Sequence, residues 1–196
     1  AEQAATEDLG FSPQALRAKY REERDKRLRA DGNEQYFEVT GDFSHYVDDP
    51  YINSPLQREP LFDEVDVIVV GGGFGGSHTG ARLTEAGIGR IRIIEKGGDF
   101  GGTWYWNRYP GAACDVESYV YLPLCEELNF VPKEKYTHAP EILAHSRAIG
   151  EKFNLYDYAC FQTEVEGMRW SEEDQRWTVT TNRGDSMTAK YVCMAN

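Results

Sequence analysis

The run Val65-Asp-Val-Ile-Val-Val70 is followed at once by Gly71-Gly-Gly-Phe-Gly-Gly76, and this junction decides the fold. A short β-branched run is typical of a strand that is buried on both faces. The stretch after the glycines predicts a helix to about Ala86, and Ile91-Arg-Ile-Ile-Glu95 predicts a second strand. Strand, helix and strand form a βαβ unit, which indicates a parallel sheet with a right-handed crossover.

The glycine spacing at this junction favours the binding of a dinucleotide. Gly71 permits a tight turn, Gly73 lets the backbone approach a diphosphate, and Gly76 lets the helix pack closely on the strand. Free amides and the dipole at the start of the helix attract negative charge. Glu95 ends the second strand, where its carboxylate can accept hydrogen bonds from both hydroxyls of an adenosine ribose. Because this carboxylate would repel a 2′-phosphate, we expect FAD or NAD here rather than NADP.

A second glycine-rich segment separates FAD from NAD. It reads Gly101-Gly-Thr-Trp-Tyr-Trp-Asn-Arg-Tyr-Pro-Gly-Ala-Ala-Cys-Asp115 and resembles the long fingerprint of Baeyer–Villiger monooxygenases, flavoproteins that insert oxygen beside a ketone. The resemblance continues through Val116-Glu-Ser118 and includes an N-terminal extension like that of long family members. The fixed positions of the fingerprint are Gly102, Trp104, Tyr109, Pro110, Gly111 and Asp115.

The resemblance implies both a fold and a reaction. The expected fold is α/β, a Rossmann-like FAD-binding domain with a parallel sheet and a β-meander layer, preceded by a helical and irregular extension. In the implied reaction, NADPH reduces FAD, O2 adds to give a peroxyflavin, and a ketone becomes an ester or lactone. The family's second glycine-rich turn for NADPH, its shorter fingerprint and its catalytic arginine do not occur in this sequence. We therefore expect the N-terminal FAD-binding part of a larger enzyme, with an incomplete FAD sheet and no activity by itself.

The glycine pattern and the resemblance together imply a set of cofactor contacts. Gly101 and Gly102 let the main chain lie against a flat cofactor, and Trp104 and Trp106 can shield a flavin from water. The expected FAD contacts are Gly71, Gly73, Phe74, Gly75, Gly76, Glu95, Lys96, Gly102, Thr103, Trp104, Tyr105, Trp106, Asp115, Tyr121 and Val165. The residues expected near NADPH are Ala113, Cys114 and Asp115. Asp115 is also expected to act in catalysis by orienting an arginine outside this chain, and Cys114 is interpreted as a packing residue rather than a nucleophile.

Residues 1–63 are predicted to be an extension, and residues 64–196 the first part of the FAD-binding domain. Ser12 and Pro13 can begin a helix that runs to about Ala30. Prolines and scattered aromatic residues follow over residues 33–63. They indicate an irregular segment, with only short elements of its own, that wraps the protein's own catalytic body; the alternative is an unattached tail.

Further elements are predicted within the domain. Residues 96–139 are expected to be largely irregular, and Pro140 to open a helix that ends near Phe153. Three strands are predicted over residues 162–170, 175–181 and 187–194, and the last one is expected to return to the FAD sheet.

Composition narrows the possible functions. The 196 residues carry a net charge of −12, so we expect no binding to nucleic acid or to anionic membranes. No apolar run is long enough to span a bilayer, the cysteines lack a C-x-x-C motif, and the histidines lack metal-ligand spacing. A cytoplasmic protein without a metal is therefore expected, with a small ketone and O2 as partners. Two alternatives stay open: an N-hydroxylating or sulfoxidising flavin monooxygenase of the same class, and a piece that binds FAD without catalysing a reaction.

Overall fold

The computed structural model describes residues 10–37 and 39–196. These residues form two compact units, which divide between Asp48 and Asp49. The boundary between the units lies before Asp49, whereas the sequence predicts a boundary after residue 63. Within the described residues, no helix combines the length and the apolar character needed to cross a bilayer.

The first unit contains helix α1, which spans Pro13–Asp25. Ser12 caps this helix as predicted, since its hydroxyl accepts a hydrogen bond from the Ala15 amide at 3.2 Å. Two short 3-10 helices follow over Gly32–Gln35 and Gly41–Val47.

Helix α1 ends before the predicted Ala30 because local hydrogen bonds compete with its continuation. The guanidinium of Arg27 donates to the Glu23 carbonyl at 2.6 Å. The amide of Arg27 donates instead to the Arg24 carbonyl at 2.9 Å, which is a tighter turn than that of an α-helix. The predicted end of the helix was therefore wrong by about one turn.

The second unit contains a single sheet of six strands: β1 Glu64–Val70, β2 Ile91–Ile94, β3 Ala159–Cys160, β4 Val165–Ser171, β5 Arg176–Thr181 and β6 Ser186–Met194. Their order across the sheet is β3-β2-β1-β6-β5-β4. Strand β1 lies parallel to β2 and β6, β2 lies parallel to β3, and β5 lies antiparallel to both β4 and β6. The helices of this unit are α2 Phe74–Glu85, α3 Thr103–Trp106, α4 Ser118–Tyr121, α5 Cys125–Leu128, α6 Ala139–Lys152 and a 3-10 turn at Leu155–Asp157.

The predicted βαβ unit is confirmed by β1, α2 and β2. Val67 and Val69 face a cluster that includes Ala81 of α2, while Ile68 faces Val179 and other residues on the opposite side of the sheet. Apolar side chains thus cover both faces of β1, which explains why its sequence is apolar without alternation.

The three predicted C-terminal strands are also confirmed, with shifted ends. Strand β4 begins at Val165 rather than at residue 162 because Gln162 has a φ of 49°, a left-handed conformation that a strand cannot contain. Strand β6 pairs with β5 near its start and with β1 along most of its length. The meander is therefore joined to the parallel sheet through β6, which confirms that the last strand returns to that sheet.

Several short elements lie where the sequence predicts irregular chain. Helices α3, α4 and α5 are single turns of four residues within residues 96–139. Strand β3 lies outside that range, at Ala159–Cys160, and its two residues are too few to show a periodic pattern. Helix α6 closely matches its prediction.

Candidate functional site

A cavity of about 600 Å³ lies at the carboxyl ends of β1, β2 and β6. Ligands of open α/β sheets bind at this edge, outside the ends of the parallel strands. The cavity is lined by Val70, Gly71, Gly73, Phe74, Gly75, Ile94, Glu95, Lys96, Gly102, Thr103, Trp106, Asn107, Thr163, Glu164, Val165, Ala195 and Asn196.

The first glycine turn forms one wall of the cavity. Gly71 has a φ of 105°, and a Cβ added there would lie 2.6 Å from the Ala195 carbonyl oxygen. Among the described residues, no side chain caps the start of α2, where Gly73, Phe74 and Gly75 line the cavity. The first backbone N–H groups of a helix have no acceptor within it, so these amides can donate to an anionic ligand.

A second glycine turn crosses the first. Gly102, with a φ of 51°, leads into α3, and a Cβ added at Gly102 would lie 2.7 Å from the Cα of Gly73. The amide of Gly101 donates to the Gly72 carbonyl at 3.0 Å and fixes the crossing. Thr103 and Trp106 of α3 are thereby brought to the same cavity as the start of α2.

Glu95 is buried at the end of β2, at the cavity wall. One carboxylate oxygen accepts from the Gly72 amide at 2.5 Å, and the other accepts from the Gly97 amide at 2.6 Å. An ionised carboxylate has about four acceptor positions, so two remain for a ligand diol. The donor set therefore fits a dinucleotide: amides for a diphosphate and a carboxylate for a ribose.

Ten of the predicted FAD contacts line this cavity. They are Gly71, Gly73, Phe74, Gly75, Glu95, Lys96, Gly102, Thr103, Trp106 and Val165. The other predicted site residues lie outside the lining: Gly76, Trp104, Tyr105, Ala113, Cys114, Asp115 and Tyr121.

The residues outside the lining have other surroundings. The indole N–H of Trp104, a buried residue, donates to the Tyr121 hydroxyl at 2.9 Å, so this pair braces the loop behind α3. Tyr105 is buried, and its hydroxyl donates a hydrogen bond to Asp49 at 2.6 Å. Cys114 is buried in an apolar cluster, which agrees with its interpretation as a packing residue, and Asp115 is exposed.

Five polar or terminal positions at the cavity were missed by sequence reasoning: Asn107, Thr163, Glu164, Ala195 and Asn196. Thr163 and Glu164 follow β3, which is too short to reveal that this segment reaches the sheet edge. Glu164 accepts a hydrogen bond at 3.1 Å from Lys96, which also lines the cavity. Ala195 could have been anticipated, because the ends of parallel strands meet at one edge. Asn107 carried no signal.

Known proteins share the dinucleotide-binding pattern of this chain and much of its sequence. Residues 69–129 match the family described as an NAD(P)-binding Rossmann-like domain. The chain is 48% identical over 194 residues to Baeyer-Villiger monooxygenase ATR8 of Stachybotrys chlorohalonatus, covering 98% of this chain and 31% of that protein. Over nearly its whole length, the chain thus matches a segment of Baeyer–Villiger monooxygenases.

Solved structures of related enzymes have the same fold. The polycyclic ketone monooxygenase of Thermothelomyces thermophila matches with a TM-score of 0.78 and 34% identity, over 93% of this chain and 32% of that one. OTEMO, solved in complex with FAD and NADP, matches with a TM-score of 0.63 and 31% identity, over 67% of this chain and 25% of that one. The chain thus spans about a third or less of the length of these Baeyer–Villiger relatives.

Proposed function

We propose that the chain holds FAD in the cavity at the carboxyl ends of β1, β2 and β6, as part of an enzyme that uses NADPH and O2 to convert ketones to esters or lactones. The observation that carries the proposal is the crossing of two glycine turns, at Gly73 and Gly102, beside the buried carboxylate of Glu95. The OTEMO complex with FAD and NADP supports the same choice of cofactors.

The residues of the chain divide the work of binding. The amides at the start of α2 donate to the diphosphate, and Glu95 accepts from the ribose hydroxyls. Thr103 and Trp106 also line the cavity, and the indole can exclude water from the ring system. The bound flavin supplies the redox and oxygen chemistry, which no amino-acid side chain provides.

Three further predictions belong to this proposal. Asp115 orients an arginine outside this chain, and Ala113 and Cys114 lie near the nicotinamide. The extension wraps the catalytic body. The enzyme works in the cytoplasm and acts on a small ketone, without nucleic acid or membrane as a partner.

The cofactor assignment is tested by adding FAD to the purified chain and measuring the absorption spectrum and the flavin fluorescence. We expect one FAD per chain, recovered intact when the protein is denatured. A chain that binds no flavin would contradict the proposal. A second experiment uses an enzyme that contains this segment and has the full length of the relatives. Analysis of its products from a ketone and from an amine separates the proposed reaction from N-hydroxylation.

Replacing Glu95 by alanine is expected to weaken FAD binding. A hydrogen bond to a charged group contributes about 1.5–3 kcal/mol, which corresponds to roughly a 10- to 150-fold higher dissociation constant. Fluorescence titration measures the effect, and Glu172→Ala, in the exposed turn after β4, is the control. An unchanged dissociation constant for Glu95→Ala would show that Glu95 does not bind the ribose.

Replacing Asp115 by alanine is expected to leave FAD binding unchanged, because Asp115 is exposed and lies outside the cavity lining. In an enzyme of full length, the same change should slow flavin reduction by NADPH or abolish oxygenation. Stopped-flow absorbance and product analysis measure the two steps. Wild-type turnover would defeat the orienting role.

A further inference from the structure

The segment that opens the second unit contacts the loops that form the cavity. Asp49 is half-buried, and one of its carboxylate oxygens accepts a hydrogen bond from the Tyr105 hydroxyl at 2.6 Å. The same oxygen accepts from the Gly98 amide at 3.0 Å. The Tyr105 hydroxyl also accepts from that amide at 3.0 Å, so the three groups close a small ring of hydrogen bonds.

This ring joins two parts of the cavity that are separate in sequence. Tyr105 lies in α3, between Trp104 and the cavity-lining Trp106. Gly98 follows Gly97, whose amide donates to Glu95. Asp49 therefore fixes the indole-bearing turn against the segment that holds the buried carboxylate.

Close packing leaves this arrangement little freedom. A Cβ added at Gly97 would lie 2.9 Å from the Tyr105 ring, and one added at Gly98 would lie 2.5 Å from a methyl group of Ile52. Tyr105 is 2% exposed, so an unpaired hydroxyl there would lose its hydrogen bonds without gaining water. Burial, and then the neighbouring Asp49 carboxylate, raise the pKa of Tyr105 to about 12, which keeps the hydroxyl protonated as the donor.

A second contact holds the same segment on α3. The Tyr51 hydroxyl donates to the Trp106 carbonyl at 3.3 Å. The guanidinium of Arg108 lies 3.8 Å from the centre of the Tyr51 ring, and it donates to the Tyr105 carbonyl at 2.8 Å. These contacts orient Tyr51 beside the loop, while Asp49 supplies the charged acceptor.

We propose that Asp49 is a positioning residue for the cofactor cavity and that it acts through the Tyr105 hydroxyl. The inference rests on the proposed FAD site. Asp49 lies far along the chain from the residues that line the cavity. Through Tyr105 it sets the distance between the Thr103–Trp106 turn and Glu95. Tyr105 thereby supports the site through its hydroxyl, from behind the lining.

The test combines Asp49→Ala, Tyr105→Phe and the double variant in a cycle, with the dissociation constant of FAD as the readout. We expect each single change to weaken FAD about 10-fold and the double change to add little, because both remove the same charged hydrogen bond. Asp49→Asn keeps one acceptor oxygen and should therefore weaken FAD binding less than Asp49→Ala. Asp48→Ala, at the exposed neighbouring residue, should bind FAD like the wild type.

Two further readouts separate positioning from a general loss of stability. Hydrogen exchange of the chain without cofactor should speed up within residues 97–106 in Asp49→Ala, while exchange in the β1 amides stays unchanged. The visible circular dichroism of bound flavin should change, because the Trp106 wall shifts. If Asp49→Ala does not fold, the same measurements on Asp49→Asn and Tyr105→Phe test the positioning role.

The outcomes distinguish the two proposals. Wild-type chain that binds FAD, together with an Asp49→Ala variant of unchanged affinity and spectrum, would overturn the positioning role and leave the FAD site intact. Additive losses in the cycle would also overturn it, since they place Asp49 and Tyr105 in independent roles. A wild-type chain that binds no flavin would overturn both proposals.

Discussion

Replacing Gly76 by alanine is expected to destabilise the second unit by about 3 kcal/mol or more, a large value for overpacking. A Cβ at this position would lie 1.8 Å from the carbonyl oxygen of Gly71. That oxygen belongs to the backbone of the first glycine turn, which is itself held against Ala195, so it cannot move aside cheaply. Urea unfolding followed by circular dichroism measures the loss.

Gly75→Ala is the matched control, since it makes the same chemical change one residue earlier in the same turn. Its added Cβ would meet the Cβ of Ala195 at 3.5 Å, an ordinary contact. Alanine is favoured over glycine in helices by up to about 1 kcal/mol, so this variant should be as stable as the wild type or more stable. Equal losses for Gly76→Ala and Gly75→Ala would contradict the packing argument.

Replacing Asp185 by alanine is the second change with a large expected effect. Its carboxylate is buried and accepts from both terminal nitrogens of Arg58, at 2.6 and 2.7 Å. It also accepts from the Thr181 hydroxyl at 2.6 Å and the Leu61 amide at 2.8 Å. Removing one partner of a buried ion pair costs about 3–5 kcal/mol. Urea unfolding checks this value.

An exposed ion pair provides the comparison for Asp185→Ala. Glu117 and Lys135 lie 2.8 Å apart with half of each side chain exposed, and such pairs contribute about 0–1 kcal/mol. Glu117→Ala should therefore shift the unfolding midpoint little. If Asp185→Ala lost as little stability as Glu117→Ala, Arg58 would have found another partner or reached water.

Asp185 also predicts how stability depends on acid. Burial by itself would raise the pKa of this carboxyl, but the hydrogen bonds from Arg58, Thr181 and Leu61 outweigh burial and hold the pKa at about 2, below its ordinary 3.8. Because the folded-state pKa is the lower one, the stabilisation is present above about pH 4 and is lost as the pH falls toward 2. The loss amounts to about 2 kcal/mol. Asp185→Asn should lack this step in a pH series of unfolding measurements.

Much of the cavity lining could be predicted from the sequence because that information is local. Strand β1, the glycine turn and Glu95 lie within one βαβ unit, where each residue type has a direct geometric reason. The long-range parts were predicted poorly. Strand β3 has two residues, and α3 depends on the crossing of Gly102 with Gly73, which no local pattern reveals. Tyr105 illustrates the limit. Its contact with the cofactor stays a prediction from the family motif, and no local pattern indicates that its hydroxyl donates to Asp49, 56 residues away.

Strand β6 has a consequence for protein engineering. Its early residues pair with β5 and its later residues with β1, so one continuous strand serves both the antiparallel and the parallel half of the sheet. Removing either half would leave unpaired backbone N–H and C=O groups along the edge of the other half. Chimaeras that exchange segments between related flavoproteins should therefore carry β4, β5 and β6 together with β1, and place their crossover points in surface loops outside these strands.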